Sequence, residues 1–284
     1  MTAAAPARPA ALPAAWPARP DRRYRRAVRR AVRSVTFYRE QCAAAGALLD
    51  QARPTPAGEL PDPPHTLVPF GRPWSAAREP SLWTPRPAAL ARALRLAGCG
   101  GGRPVLEVRP ALLDSTRLPR GAPLPGRRYA VLLSPAAVVA SPQRRAELTA
   151  AALAVAGDGP VWLVAAPEEL AELAVELGGS TAPAGRFRPV HRLPVAAAVR
   201  AGPGERPVLL HELALGYLGG LVPACRELHL DRRRVHPRVR DGRLTLSLLR
   251  QRRPTLLDIV PPGAEAVGVA GCPRHGTPVL RPRR

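Results

Sequence analysis

The chain has no lysine and no asparagine among its 284 residues, one isoleucine, and only 4% aromatic residues. All 43 basic residues are therefore arginines, set against 21 acidic ones, which gives a formal net charge of +22. These absences, beside abundant alanine, arginine and proline, indicate a GC-rich coding bias, so part of the positive charge is compositional. A surface of this charge still attracts nucleic acid and anionic lipid non-specifically, and salt screens the attraction.

Long apolar runs are missing as well. No stretch approaches the ~18 consecutive apolar residues of a membrane helix, so the sequence predicts no membrane span. Proline interrupts every apolar run in residues 1–20, which predicts a disordered leader rather than a secretory signal. In a chain without such a signal, the four cysteines predict thiols or metal ligands rather than disulfides, and a cytoplasmic location.

The features present in quantity are short apolar runs that alternate with helical patterns. Strands are predicted at 105–108, 129–133, 161–164 and 208–210, and helices at 87–97, 143–156 and 167–177. This alternation predicts parallel βαβ units and an α/β fold. From about Glu227 the runs shorten, and Asp241-Gly242 between two of them predicts a hairpin turn. We therefore predict an α/β region over 21–224 and an antiparallel β subdomain over 225–284.

The segment from Asp21 to Val35 predicts an amphipathic helix, which Phe37 and Tyr38 extend towards Gly46. Its apolar residues recur at helical spacing, and arginines fill most of the remaining positions. We favour a helix that packs on the core, because the apolar stripe requires a core whereas the arginines require only water. The alternative is a helix that binds a polyanion.

The sharpest local pattern is Cys225-x3-His229 followed by Cys272-x2-His275. Two cysteines and two histidines in two closely spaced pairs form a Cys2His2 set, which suits tetrahedral zinc. Four protein ligands leave no position for water, so such a site is structural. The alternative is two thiols and two surface histidines that never meet.

The remaining patterns are less specific. The glycines at 98 and 100–102 lack the spacing and the lysine of a phosphate-binding motif, so they predict a loop. His211-Glu212, next to Gly216-Tyr217, could line a cleft, although a loop is the favoured interpretation. No Ser-His-Asp, Cys-His or paired-carboxylate arrangement stands out.

Several stretches together resemble one family, the phenylacetate–CoA ligase branch of the acyl-adenylate-forming enzymes, which also includes acyl-protein synthetases. The stretches that carry the resemblance are 31–39, Trp83-Thr84-Pro85 leading into 90–98, 225–229, 238–244, 254–258 and Cys272-Pro273. The resemblance implies a shortened adenylate-forming large domain with a C-terminal antiparallel β subdomain. It also implies Cys225, His229 and Cys272 as ligands of a structural zinc, because members of this branch can hold zinc at this place. His275 joins the set on spacing alone.

The chain also departs from that family. Where the family has a Ser/Thr/Gly-rich phosphate loop, residues 74–80 read Trp-Ser-Ala-Ala-Arg-Glu-Pro, without a glycine to let phosphate approach the backbone. The Tyr-Gly-x-Thr-Glu motif is only hinted at by Glu212 to Tyr217, and the ribose motif is reduced to Asp258. Glu212 and Asp258 are therefore the candidate nucleotide-binding residues. The chain has no lysine and ends near the point where the family's small catalytic domain begins, so we expect no binding of ATP or AMP.

The leading functional hypothesis is therefore a degenerate, non-catalytic relative of these ligases that binds a protein partner or an acyl carrier in acyl or carboxylate metabolism. One alternative is an active acid–CoA or acyl-protein ligase that a partner chain completes. Another is a nucleic-acid-binding protein, for which affinity would fall steeply with salt and differ among sequences.

Overall fold

Apolar runs bounded by glycine and proline form most elements of the structure, a computed structural model that describes residues 19–46, 51–61, 64–71, 87–110, 124, 126–139, 141–178, 185–251 and 253–283. The helices in these ranges are α1 (Arg19–Ser34), α2 (Thr36–Ala44), α3 (Pro87–Leu96), α4 (Pro142–Ala156), α5 (Pro167–Gly178) and α6 (Val195–Ala201). The first six strands are β1 (Thr55–Pro56), β2 (Val105–Arg109), β3 (Tyr129–Leu133), β4 (Val161–Ala165), β5 (Phe187–Leu193) and β6 (Val208–Glu212). The others are β7 (Gly216–Val222), β8 (Glu227–Leu230), β9 (Val235–Arg240), β10 (Arg243–Leu248), β11 (Ile259–Val260), β12 (Val267–Gly271) and β13 (Pro278–Pro282).

The larger sheet has nine described strands in the order β12-β13-β8-β7-β6-β5-β4-β2-β3. The strands β2 to β6 run parallel, which confirms the predicted βαβ units. In chain order this parallel part has the doubly wound arrangement 2-1-3-4-5, whose switch point lies between β2 and β4. The strands β7, β8, β13 and β12 continue the sheet in antiparallel fashion.

The smaller sheet has the order β1-β11-β10-β9. Its β9–β10 hairpin turns at Asp241 and Gly242, whose φ angles of 48° and 73° are the positive values that a type I′ turn requires at both central residues. The hairpin predicted from Asp241-Gly242 is therefore confirmed.

The strands after residue 225 are divided between the two sheets, which differs from the predicted β subdomain over 225–284. β8, β12 and β13 belong to the nine-stranded sheet, and β9, β10 and β11 belong to the smaller one. The short runs predicted the strands themselves. Run length and turn residues carry no information about which sheet a strand joins, because distant partners decide that.

The larger sheet is covered on both faces, as a parallel sheet must be. On one face, Leu106 and Val108 of β2 pack with Ala152 of α4 and Leu173 of α5. On the other face, α3 packs against β7, with the buried side chains Leu90, Leu94 and Tyr217 in one cluster. The largest apolar cluster lies among α1, α6, the smaller sheet and the β6–β8 part of the larger sheet.

The long helix predicted from Asp21 towards Gly46 is two helices. Val35 separates α1 from α2 because its backbone is extended, with φ −126° and ψ 121°. This extended residue forms a β-bridge with Pro69, and Ser34 O accepts a hydrogen bond from Phe70 N at 2.7 Å. A partner 34 residues away thus breaks a pattern that is helical by local spacing.

Three of the segments used in the sequence analysis fall outside the described residues: the leader at 1–20, apart from Arg19 and Pro20 at the start of α1, the substituted phosphate loop at 74–80, and Trp83-Thr84-Pro85. Among the described residues, no helix has both the length and the apolar character needed to cross a bilayer.

Candidate metal centre

Two neighbouring β-hairpins carry the four predicted metal ligands. Cys225 lies in the turn between β7 and β8, and His229 lies on β8. Cys272 and His275 lie in the turn between β12 and β13. Because β8 pairs with β13, with His229 opposite Val279, the two hairpins are adjacent in one sheet.

The ligand atoms of Cys225, His229, Cys272 and His275 all lie within 4.8 Å of one another. Sγ of Cys225 is 3.0 Å from Nε2 of His229, and Sγ of Cys272 is 3.4 Å from Nδ1 of His275. Ligands on a tetrahedral zinc are separated by roughly 3.3–3.8 Å, from bond lengths of ~2.0–2.3 Å. The 3.4 Å pair lies within this range and the 3.0 Å pair just below it, so the four donors are close enough to hold one metal ion. A set of two sulfur and two nitrogen donors is typical of zinc.

The turn around Cys272 is shaped by its own backbone. Gly276 N donates to Cys272 O at 2.8 Å, and Cys272 N donates to Thr277 O at 2.9 Å. Gly276 has a φ of 57°, a left-handed conformation that glycine adopts without steric cost. The resulting tight loop brings the side chains of Cys272 and His275 to the same side.

Thr277 is a residue of the candidate site that the spacing did not reveal. Its Oγ1 lies 2.6 Å from Nδ1 of His229. Metal-bound histidines usually donate their second ring N–H to a hydrogen-bond acceptor outside the metal's ligand set, which fixes the tautomer and the orientation of the ring. The contact leaves Nε2 of His229 facing Cys225, as a metal ligand should. A hydroxyl residue close to a Cys/His pair was the available signal.

The pKa shifts of Cys225 and His229 bear on metal binding in opposite directions. Burial, together with the neighbouring Cys272, raises the pKa of Cys225 above its usual value. Burial and the nearby His275 lower the pKa of His229, which favours the neutral imidazole that coordinates metals. A bound cation favours the thiolate and so offsets the raised thiol pKa.

The burial of the four side chains indicates a structural site. Cys272 and His229 are buried, Cys225 is half-buried, and His275 is exposed at the rim. A tetrahedral ion held by all four side chains would have no open position for an activated water.

Glu212, a predicted nucleotide-binding residue, lies buried at the end of β6. Its Oε1 accepts a hydrogen bond of 2.7 Å from Val195 N, the first residue of α6. Burial raises the pKa of Glu212 to about 7, although the bond from Val195 opposes the shift. In this structure the side chain caps a helix.

Asp258, the predicted ribose contact, lies in a different place, beneath α1 and against the smaller sheet. Its Oδ2 accepts hydrogen bonds from the Tyr24 hydroxyl and from Arg240 Nη1, and its Oδ1 accepts one of 3.0 Å from Ser247 Oγ. The residue has no exposed surface. The carboxylate therefore connects the first helix to the second sheet, and in this arrangement it has no accessible oxygen for a ribose.

A buried polar network that the sequence analysis did not predict lies near the switch point of the larger sheet, where open α/β sheets commonly bind ligands. Glu107 on β2 is fully buried and accepts hydrogen bonds from Arg109 Nη2 at 2.8 Å, Tyr129 OH at 2.5 Å and Tyr217 OH at 2.8 Å. Burial alone would raise the pKa of Glu107, but Arg109 and the two tyrosines hold it below its usual value. The signal for this network was a Glu-Val-Arg sequence inside an apolar strand.

A second ion pair joins Arg192, near the end of β5, to Glu169 in the first turn of α5. Arg192 Nη2 is 2.8 Å from Glu169 Oε2, and Arg192 Nη1 donates to Val108 O at 2.7 Å. Arg192 also affects the neighbouring His211: burial, followed by the charge of Arg192, lowers the pKa of His211 to about 3, so this imidazole is neutral at physiological pH. Because the two carboxylates, Glu107 and Glu169, are both held by arginines, the network joins β2, β3, β5 and β7 to the first turn of α5.

A scan against models of known protein families finds none that matches the chain, and a search of curated proteins likewise finds no match. The candidate metal centre therefore rests on the chemistry and the geometry of its four side chains and of Thr277.

Proposed function

We propose that Cys225, His229, Cys272 and His275 bind one structural Zn²⁺ that fastens the C-terminal hairpin of the protein. The observation that carries this proposal is the convergence of four donor atoms within 4.8 Å from two separate hairpins. When bound, the ion supplies four strong ligand bonds and compensates the charge of two thiolates.

The position of the hairpin explains why such a link is useful. β12 is an edge strand of the larger sheet, and β13 pairs with β8 at two registered positions, compared with five between β12 and β13. The Arg281–Glu227 ion pair also spans this junction, but it is partly exposed and worth little. A metal ion that joins the two turns adds a cross-link where the β-ladder is short.

The metal site can be tested by X-ray absorption at the zinc edge on protein loaded with one equivalent of zinc. The proposal predicts two sulfur neighbours at ~2.3 Å and two nitrogen neighbours at ~2.0–2.1 Å. A shell of oxygen and nitrogen without sulfur would show that zinc binds elsewhere.

We also propose that the chain is a non-catalytic relative of the adenylate-forming enzymes that acts as a binding or scaffolding partner in acyl or carboxylate metabolism. Two features support it: an α/β sheet with Cys and His pairs near its C-terminal end, and the engagement of Glu212 and Asp258 in hydrogen bonds within the protein. The absence of lysine further favours a protein without adenylation activity.

The test of this second proposal is ATP–pyrophosphate exchange with a panel of aliphatic and aromatic carboxylic acids. We expect exchange at the background rate for the zinc-loaded protein. Robust exchange by the purified chain would contradict the proposal. Exchange that appears only with a co-purifying, lysine-bearing subunit would support an active ligase completed by a partner chain.

A further inference from the structure

Helix α1 presents an unusual concentration of positive charge. Eight of its 16 residues are arginines, against 43 of 284 in the whole chain. A uniform coding bias would place two or three arginines in a segment of this length. The local excess therefore needs an explanation beyond composition.

The arginines line a groove of about 690 Å³ along the outer side of α1. Its lining consists of Ser34 and the arginines Arg22, Arg25, Arg26, Arg29, Arg30 and Arg33. At ~1.5 Å per residue, the groove follows the helix for roughly 16 Å. Among the described residues, no ion pair neutralises Arg22, Arg25, Arg26, Arg29 or Arg33.

The opposite face of α1 is used by the core. Tyr24, Val28 and Ala31 are each 1% exposed, and Tyr24 is bonded to Asp258. An amphipathic helix that binds a membrane must insert an apolar face into the bilayer. Because α1 has buried that face, its remaining charge suits a soluble polyanion better than a lipid surface.

An exposed aromatic ring lies next to the end of the groove. Phe70 is 50% exposed, its backbone N donates to Ser34 O, and the guanidinium of Arg39 lies 5.3 Å from the ring centroid. Proteins that bind single-stranded nucleic acid combine a positive groove for the phosphates with aromatic rings on which bases stack. The bases of a duplex are already stacked on one another, so they do not stack on Phe70.

We propose that the arginine groove of α1 together with Phe70 binds single-stranded nucleic acid, with the phosphodiester backbone along the arginines and an unstacked base on Phe70. The proposal concerns a surface remote in sequence from the metal ligands and does not depend on the metal site. RNA and DNA share the chemistry that this surface recognises, so both must be tested.

The experiment measures fluorescence anisotropy of labelled 20-mers of oligo-U, oligo-dT and duplex DNA with the full zinc-loaded chain, between 50 and 200 mM salt. Contacts from the five arginines Arg22, Arg25, Arg26, Arg29 and Arg33 predict a log–log salt slope of about −3.5 for the single strands. The triple variant Arg25→Gln, Arg29→Gln, Arg33→Gln should make that slope shallower by about 2. The control, Arg95→Gln, Arg188→Gln, Arg232→Gln, removes equal charge from exposed positions elsewhere and should leave the slope nearly unchanged.

The ring is tested by Phe70→Leu, which keeps an apolar side chain but removes the stacking surface. We expect roughly a 5- to 150-fold loss of single-strand affinity, and recovery in Phe70→Tyr.

Tighter binding to oligo-U than to oligo-dT would identify RNA as the ligand, and the reverse would identify DNA. Equal losses in the two triple variants would show binding through net charge alone and overturn the proposal. So would duplex affinity at least equal to that of single strands, combined with no effect of Phe70→Leu.

Discussion

Nδ1 of His229 lies 2.6 Å from Oγ1 of Thr277, a residue on the opposite hairpin and 48 positions further along the chain. The two ring nitrogens therefore have different neighbours. Nδ1 is hydrogen-bonded to the hydroxyl of Thr277, and Nε2 lies 3.0 Å from Sγ of Cys225. The ligand residue is therefore oriented by the same hairpin that supplies Cys272 and His275.

Removal of this hydroxyl in Thr277→Val should weaken zinc binding by about 10- to 100-fold, because the orientation of His229 is lost while the four ligands remain. Competition with a chromophoric chelator measures the affinity. Ser141→Ala is the control, since it removes a hydroxyl that caps α4 and should cost about 1 kcal/mol of stability without altering zinc affinity. Unchanged affinity in Thr277→Val would contradict the assigned role.

The Tyr24 hydroxyl supports a buried carboxylate, so Tyr24→Phe should lower the free energy of unfolding by about 1–3 kcal/mol. The variant removes a donor to Asp258 and an acceptor for Ala52 N. Urea denaturation measures the loss. Ser34→Ala, which removes only a hydrogen bond within α1, should have a much smaller effect. Similar small losses in both variants would contradict the proposed connection between α1 and the smaller sheet.

Glu212 predicts a specific pH dependence. Burial raises its pKa from 4.5 to about 7, so the folded state binds the proton more tightly than the unfolded state does. This contribution to stability is present below about pH 4.5 and is lost as the pH rises through 7. Glu212→Gln keeps an oxygen for Val195 N but carries no charge. Denaturation at several pH values should therefore show the variant gaining stability relative to the wild type between pH 4.5 and 7, whereas a constant difference would contradict the shift.

Gly219 predicts a steric requirement at the β7–β8 pair. A Cβ at this position would lie 1.9 Å from His229 O, so Gly219→Ala must separate the strand that carries His229 from its neighbour. We expect a loss of at least about 1–3 kcal/mol in stability and weaker zinc binding. The matched variant Gly159→Ala meets no atom within 4 Å and should behave like the wild type. Thermal melting and zinc titration of the pair decide the question.

The strands β2, β3 and β4 and the helices α4 and α5 could be predicted because each is an uninterrupted local pattern bounded by glycine or proline. β7 could not, since its sequence, Gly-Tyr-Leu-Gly-Gly-Leu-Val, has the composition of a turn. Two of its glycines are required because adjacent elements leave no room for a side chain. Gly219 lies against β8, and a Cβ on Gly220 would lie 3.3 Å from Ala93 O of α3. These close approaches depend on the tertiary structure, so a local sequence pattern cannot predict them.

The same distinction holds for the sites. The Cys/His pairs were visible because each pair is local, and their convergence is what the structure adds. Glu107 and Tyr217 are 110 residues apart, so their hydrogen bond could not be read from spacing. Asp258 was assigned to a ribose by resemblance, but the Tyr24 hydroxyl and Ser247 occupy its oxygens in the fold.

The central claim, that zinc fastens the C-terminal β12–β13 hairpin to the β7–β8 hairpin, is tested most directly by metal analysis combined with thermal melting before and after chelation. We expect about one zinc per chain, a melting temperature that falls when the metal is removed, and recovery on adding zinc back. Cys225→Ser should lose the metal, whereas Cys42→Ser, which changes a half-buried thiol of α2, should retain it. A metal-free protein whose melting is indifferent to chelator and to Cys225→Ser would contradict the account.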